Sequence, residues 1–281
     1  MDIIKASGEK EKFNKKKLEQ SLKRAGAESV LAKKVSKEIS KKVSAGISSE
    51  KILNQTTSYL KKENPILAAR YNLKRAIMEL GPTGFPFEKY IAEILKAYGY
   101  RTKVGKIVKG HCLSHEIDVI AQASSGQKKE HFIIECKYHN KRGRRSDVKV
   151  AFYIYARFLD IKKVWKKIPG HHQFFHQAWL VTNTKCTSQA IRYARCVGLK
   201  IVSWRYPKDE SLEYLIEKKG LYPITVLPSL NRYVKDIMVE NKIMLAKDLL
   251  KYSLNDLVGL TALKPKVVRK LQLEAKELCE Y

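Results

Sequence analysis

Apolar positions change their spacing several times along the chain, and each change marks an expected element. Asp2-Ile3-Ile4-Lys5 begins like a strand, Ser7-Gly8 breaks it as a turn, and Glu11-Lys12-Phe13 has the pattern of a returning strand. From Asn14, a good N-cap, the spacing is helical to about Ala25, and Gly26 stops it. Val35, Ile39 and Val43 keep helical spacing as far as Gly46. Ser48 or Ser49 caps the next helix, through Ile52, Leu53 and Tyr59 to Asn64-Pro65, and a further one spans Ile66 to Leu80. A small hairpin followed by helices is therefore expected over residues 1–84.

The cluster Gly81-Pro82-Thr83-Gly84, with Pro86, marks a boundary. Phe87 to Tyr98 follows as an amphipathic helix whose apolar face carries Phe87, Tyr90, Ile91, Ile94 and Leu95. Lys103 to Gly110 reads as a basic, glycine-containing loop. The period then drops to two: His115 to Ile120 and Phe132 to Lys137 are β-branched and aromatic-rich strands around a polar turn with Gly126. Asp147 starts a long helix through Ala151, Ile154, Tyr155 and Phe158. Ala178 to Asn183 is a buried strand, Thr187-Ser188 cap a helix from Gln189 to Cys196, and Gly198 to Trp204 is the last strand. These elements make residues 85–208 an α/β domain. Ser211 to Lys219, Leu230 to Glu240, Leu245 to Leu250 and Pro265 to Leu278 are helices, with a linker around Pro223 and Pro228, so residues 209–281 form a small helical domain.

Alternation along the paired strands carries the chemistry. Glu116 and Asp118 share one face while Ile117 and Val119 take the other, and Glu135 and Lys137 alternate in the same way with Ile134 and Cys136. Pairing of the strands brings carboxylates and an amine to one end of a hairpin. Carboxylate oxygens suit Mg²⁺, and a lysine beside a metal orients or deprotonates water. Any half-exposed antiparallel hairpin shows the same alternation, so the neighbouring elements decide between the readings.

Asp118 followed by Glu135-x-Lys137 on the next strand resembles the PD-(D/E)xK nuclease superfamily, and Phe85 to Trp204 resembles its Mrr-like restriction endonuclease branch. The strand, Thr/Ser-capped helix, glycine and strand from Ala178 to Trp204 match the second half of that domain. The resemblance implies a central mixed sheet flanked by helices and a metal-dependent DNA endonuclease, of restriction or repair type. In it Asp118 and Glu135 ligate Mg²⁺ or Mn²⁺, Glu88 on the first helix joins them, and Lys137 is catalytic. Glu116 is a reserve ligand and Glu93 a fallback for Glu88. Lys149 and Tyr153 have the i, i+4 spacing of a Gln-x-x-x-Tyr pair, with Tyr153 read as a packing residue. Cleavage of both strands implies a homodimer.

Ile4-Lys5, Ser7-Gly8, Phe13-Asn14, Lys17-Leu18 and Ala69-Arg70-Tyr71 resemble the ATP-cone, a nucleotide-binding regulatory module. That resemblance implies ATP or dATP as an effector, with Lys5, Gly8 and Lys17 at its phosphates. The family usually has a basic residue at Ala6 and Asp or Asn at Ser7, so nucleotide binding competes with a relic role in dimerisation or DNA contact. Gly259 and the basic helix after it are similar to a helix-hairpin-helix motif, with Lys264, Lys266 or Arg269 for phosphate. The motif's second glycine is replaced by Leu260-Thr261-Ala262.

Composition supports a polyanionic partner. The 281 residues hold 56 Lys and Arg against 28 Asp and Glu, a net charge of +28, and DNA neutralises such charge through its phosphates. The alternative class is a catalytically inactive, nucleotide-gated DNA-binding protein, and a third is a nucleotide-responsive transcription regulator. The 5 cysteines are odd in number and contain no C-x-x-C pair, which fits free thiols in the cytoplasm. No apolar run reaches the roughly 18–20 residues that span a bilayer, and no apolar signal core opens the chain, so no membrane association is expected. His111, Cys112 and His115 match no structural zinc spacing, His115 reads as a rim residue of the site, and His171, His172 and His176 read as loop or interface residues.

Overall fold

The computed structural model describes residues 1–81, 83–125, 128–165 and 175–280, apart from the side chains at 124, 125, 128, 129 and 165. His171 and His172 lie outside the described residues. The chain divides into one compact unit of Met1–Ile77, Lys141–Gly143 and Tyr222–Tyr281, and a second of Met78–Asn140 and Arg144–Leu221.

The first unit opens with β1 (Asp2–Ile4) antiparallel to β2 (Lys10–Lys12), Ile3 opposite Glu11. α1 (Lys15–Arg24) starts where Asn14 Oδ1 accepts the Lys17 amide at 3.1 Å, satisfying one of the amides a helix start leaves unpaired. α2 (Ser29–Lys41) begins before Val35 because Ala32 is buried on the same stripe as Val35 and Ile39. α3 (Ser49–Glu63) is capped by Ser48. The single helix expected from Ile66 to Leu80 is two, α4 (Pro65–Tyr71) and α5 (Leu73–Met78). Asn72 makes the break: its amide donates to Ala68 and Ala69, and its Oδ1 accepts from the Thr57 hydroxyl at 3.2 Å. Leu22, Val35, Ile39, Leu60 and Leu67 form the core of this helical layer.

The second unit is the α/β part. α6 (Phe85–Ala97), β3 (Arg101–Lys109), β4 (Ser114–Ser125), β5 (Lys128–Lys137), β6 (Arg145–Ser146), α7 (Val148–Trp165), β7 (Phe175–Thr182), β8 (Lys185–Cys186), α8 (Ser188–Val197), β9 (Lys200–Val202) and α9 (Leu212–Lys219) follow in order. Five strands form one sheet in the order β3-β4-β5-β7-β9. β3, β4 and β5 are antiparallel neighbours, whereas β5–β7 and β7–β9 are parallel, so the sheet is mixed. α6 packs on β3, β4 and β5, and α7 on β7 and α8. Ile117, Ile133, Ile154, Phe158, Leu180 and Ile201 share one core cluster.

One stretch differs from its expectation. Residues 103–109 are not loop but most of an edge strand, with lysines 103, 106 and 109 exposed and Val104 and Val108 turned inward. Charged side chains on an edge strand discourage further strand pairing, which is why a basic segment is compatible with β structure here.

The tail returns to the first unit. Ile224–Val226 is a 3-10 turn, followed by α10 (Arg232–Glu240), a second 3-10 segment (Ala246–Lys251), α11 (Leu254–Thr261) and α12 (Pro265–Glu280). The expected linker at Pro223 is tied down, with the Ile224 amide donating to the Met244 carbonyl at 2.9 Å and the Thr225 hydroxyl to the Ala76 carbonyl at 2.6 Å. Gly259 lies inside α11, and the turn is made by Ala262 at φ +53°. That turn joins α11 to the basic start of α12, where Lys264, Lys266 and Arg269 are exposed. Among the described residues, no helix is long and apolar enough to cross a membrane.

Candidate active site

The antiparallel ladder of β4 and β5 sets the site. It pairs Val119 with Ile134 and ends there, leaving Asp118 and Glu135 just beyond the last pair. On the other side of β4 the register runs from Val104–Val119 to Lys106–Ile117, passing over Asp118 and Gly105, which sits at φ +58°. Asp118 therefore occupies an irregular step of its strand. The Cys136 amide donates to its Oδ2 at 2.7 Å, fixing the carboxylate across the gap toward β5.

α6 supplies Glu88 in its first turn. Gly84 lies against it, since a Cβ there would stand 3.4 Å from Glu88 Oε1, an ordinary contact. Burial, then Asp118 and Glu116, push the Glu88 carboxyl up to about 7. Burial and then Asp118 push Glu135 up to about 8, against the pull of Arg157. Asp118 is also raised, by burial first, although the Cys136 amide, Arg157 and Lys137 favour its ionised form. Glu88, Glu116, Asp118 and Glu135 are thus one electrostatic cluster, and Lys137 lies within reach of it. Proximity of carboxylates in low dielectric makes each disfavour ionisation of the next.

Arg157 is the member that strand alternation does not reveal. It comes from α7, and its Nη1 lies 2.6 Å from Glu135 Oε1. Its Nη2 donates to the Glu116 carbonyl, and its guanidinium stands 5.1 Å from the Tyr153 ring centroid. Tyr153 is 60% exposed and so is not the packing residue expected; it is a platform for the arginine. The i, i+4 spacing of Tyr153 and Arg157 on a helix is the available signal. His115 turns away from the rim position expected of it, toward Asp160 at 2.8 Å, where Asp160 also accepts the Cys112 and Leu113 amides.

Oxygen-only donors fit a hard divalent cation. Glu135 Oε1 is buried and its partner is the Arg157 guanidinium at 2.6 Å, so a cation at that oxygen competes with the arginine. Among the described residues, no three His, Cys, Asp or Glu side chains are arranged to hold a metal ion. His176 is engaged elsewhere, its Nδ1 accepting the His131 amide at 3.0 Å.

In the helical unit, Gly8 takes φ +86° in the turn after β1, and its amide donates to the Lys5 carbonyl at 2.9 Å. Lys5 and Lys17 both pair with Glu11, which they hold down to about 2. Gly143 approaches the same turn closely enough that a Cβ would stand 2.6 Å from the Ala6 carbonyl oxygen. Along β3 in the sheet unit, a cavity of about 880 Å³ is lined by Lys96, Arg101, Lys103, Lys106 and Lys109, with no carboxylate among its lining residues.

Comparison with known proteins agrees with this architecture. The restriction endonuclease family matches residues 82–206, the ATP cone domain matches residues 1–78, and the family described as AF1548-like, C-terminal, matches residues 222–279. The chain thus carries a restriction-endonuclease-like domain and an ATP-cone domain. An uncharacterized protein of Archaeoglobus fulgidus is 38% identical over 190 residues, 67% of this chain and 99% of that one. The chain belongs to the AF1548-like family. The crystal structure of a protein of unknown function, AF1548, is 36% identical and superposes with a TM-score of 0.58 over 70% of this chain and 99% of that one. The MspJI restriction endonuclease in complex with a 27-mer oligonucleotide is 12% identical, with a TM-score of 0.33 over 63% of this chain and 36% of its own, a likeness too slight to build on.

Proposed function

We propose that the protein is a divalent-metal-dependent DNA endonuclease of three parts, residues 1–84, 85–208 and 209–281, with ATP or dATP as effector at the first. The observation that supports it is the clustering of Glu88, Asp118 and Glu135 beside Lys137 at the irregular step of a restriction-endonuclease-like sheet. Asp118 and Glu135 are the ligands for Mg²⁺ or Mn²⁺, Glu88 completes the set, and Glu116 stands in reserve. A divalent ion bound there supplies positive charge beside the scissile phosphate. Lys137 orients the attacking water and meets the charge that develops on the phosphate, the kind of electrostatic contribution that usually dominates. The Cys136 amide holds Asp118 in place throughout. Lys5, Gly8 and Lys17 receive nucleotide phosphates once Glu11 yields the two lysines. Two chains act as a homodimer on the two strands, in the cytoplasm.

Asp118→Asn and Lys137→Ala are each expected to abolish divalent-dependent cleavage of duplex DNA while gel-shift binding persists. Undiminished cleavage in both variants overturns the assignment. A second reading, a catalytically inactive nucleotide-gated DNA-binding protein, is favoured by the placement of Arg157 on Glu135. Binding without cleavage of plasmid, modified DNA and branched junctions, in Mg²⁺ and in Mn²⁺, with or without ATP and dATP, supports that reading.

A further inference from the structure

Arg157 and Glu135 are both about nine-tenths buried, and their 2.6 Å pairing is incomplete. Arg157 Nε is buried and has no hydrogen-bond partner among the described residues, so the guanidinium meets Glu135 through Nη1 alone rather than as a two-pronged pair. Buried ions held this way bear a desolvation cost that imperfect pairing does not fully offset. The arginine nevertheless has a way out, because its guanidinium rests on the exposed ring of Tyr153. Cations stack favourably on such a face, and a planar guanidinium is well matched to the paired oxygens of a phosphate.

We propose that Arg157 is the resident counter-ion of Glu135, that a divalent cation displaces it, and that the freed guanidinium takes a phosphate of the bound nucleic acid. The phosphate half rests on the nuclease reading; the competition for Glu135 does not. One positive group then leaves the carboxylate as another arrives. Metal and DNA binding are coupled as a result, each raising the affinity for the other.

The test uses the full chain and no cleavage readout. Free Mn²⁺ is followed by electron paramagnetic resonance at pH 8, and duplex DNA affinity by anisotropy with and without Ca²⁺. Arg157→Gln is expected to bind Mn²⁺ on the order of tenfold tighter, a typical coupling between linked sites, and to lose the gain in DNA affinity that Ca²⁺ brings to the wild type. Should that variant fail to fold, Glu135→Gln releases the arginine from the other side. It is expected to bind DNA without Ca²⁺ as tightly as the wild type does with it. Unchanged Mn²⁺ affinity in Arg157→Gln, Mn²⁺ binding by neither protein, or unaltered Ca²⁺-free DNA binding by Glu135→Gln overturns the proposal. Wild-type cleavage with none of these changes sinks the competition and leaves the nuclease standing. The changes without any cleavage do the reverse.

Discussion

Glu88 and Glu135 are acids in surroundings that oppose ionisation, and this has a thermodynamic consequence. With Glu135 raised to about 8 and Glu88 to about 7 from an ordinary 4.5, the folded chain binds more protons than the unfolded chain at intermediate pH. Stability contributed by these groups is therefore present below pH 4.5 and is lost as pH rises through 7 and 8. Glu135→Gln is expected to flatten that decline, because a neutral amide has no proton to lose between pH 5 and pH 8. Urea unfolding of both proteins at pH 5, 6.5 and 8 measures it. A parallel decline in the two proteins refutes it. At this scale the strand pattern indicates Asp118, Glu135 and Lys137 as candidates because alternation is local. It is silent on Arg157, whose partners lie on other elements.

Among the elements, β3 is the one whose composition misleads. Lysines and a glycine suggest a loop, yet pairing with β4 engages one side of the backbone on either side of Gly105 and leaves the lysines exposed. Gly105 is the position where composition and geometry meet, since φ +58° is strained for any residue with a Cβ. Gly105→Ala is expected to cost roughly 1–2 kcal/mol, a cost of backbone strain since no heavy atom lies within 4 Å of the new Cβ. Thermal unfolding checks the destabilisation. Because Gly105 faces the irregular step at Asp118, the same variant should weaken Mn²⁺ binding. Unchanged Tm and unchanged metal affinity would show that the left-handed turn is dispensable.

The net charge of +28 becomes informative for the whole molecule once it has a location. Part of it is gathered along the cavity on β3, which Lys96, Arg101, Lys103, Lys106 and Lys109 line, Lys96 being paired with Glu93 at 2.7 Å. Lys103→Glu with Lys106→Glu is expected to weaken duplex binding across sequences and to reduce the slope of log K against log salt by about 1 for each phosphate no longer neutralised. An unaltered slope would place the DNA elsewhere. In the helical unit, Lys5 and Lys17 are engaged with Glu11. Glu11→Gln should tighten ATP or dATP binding severalfold, and Lys5→Ala with Lys17→Ala should remove it, as read by calorimetry. Equal affinity in all variants would argue that the turn at Gly8 does not hold phosphate.

Local rules are enough for much of this protein. Period-two and helical spacing, caps and glycine stops place the strands with Asp118 and Glu135, the α6 and α8 helices and the Asn14 and Ser48 caps, because each depends on neighbours a few residues away. The mixed sheet follows from resemblance to a known domain. Tertiary structure alone decides the pairing of β3, the break at Asn72, the return of the tail to the helical unit and the seat of Arg157 on Glu135. Those features depend on backbone groups and charges meeting partners distant in sequence, which no local pattern encodes.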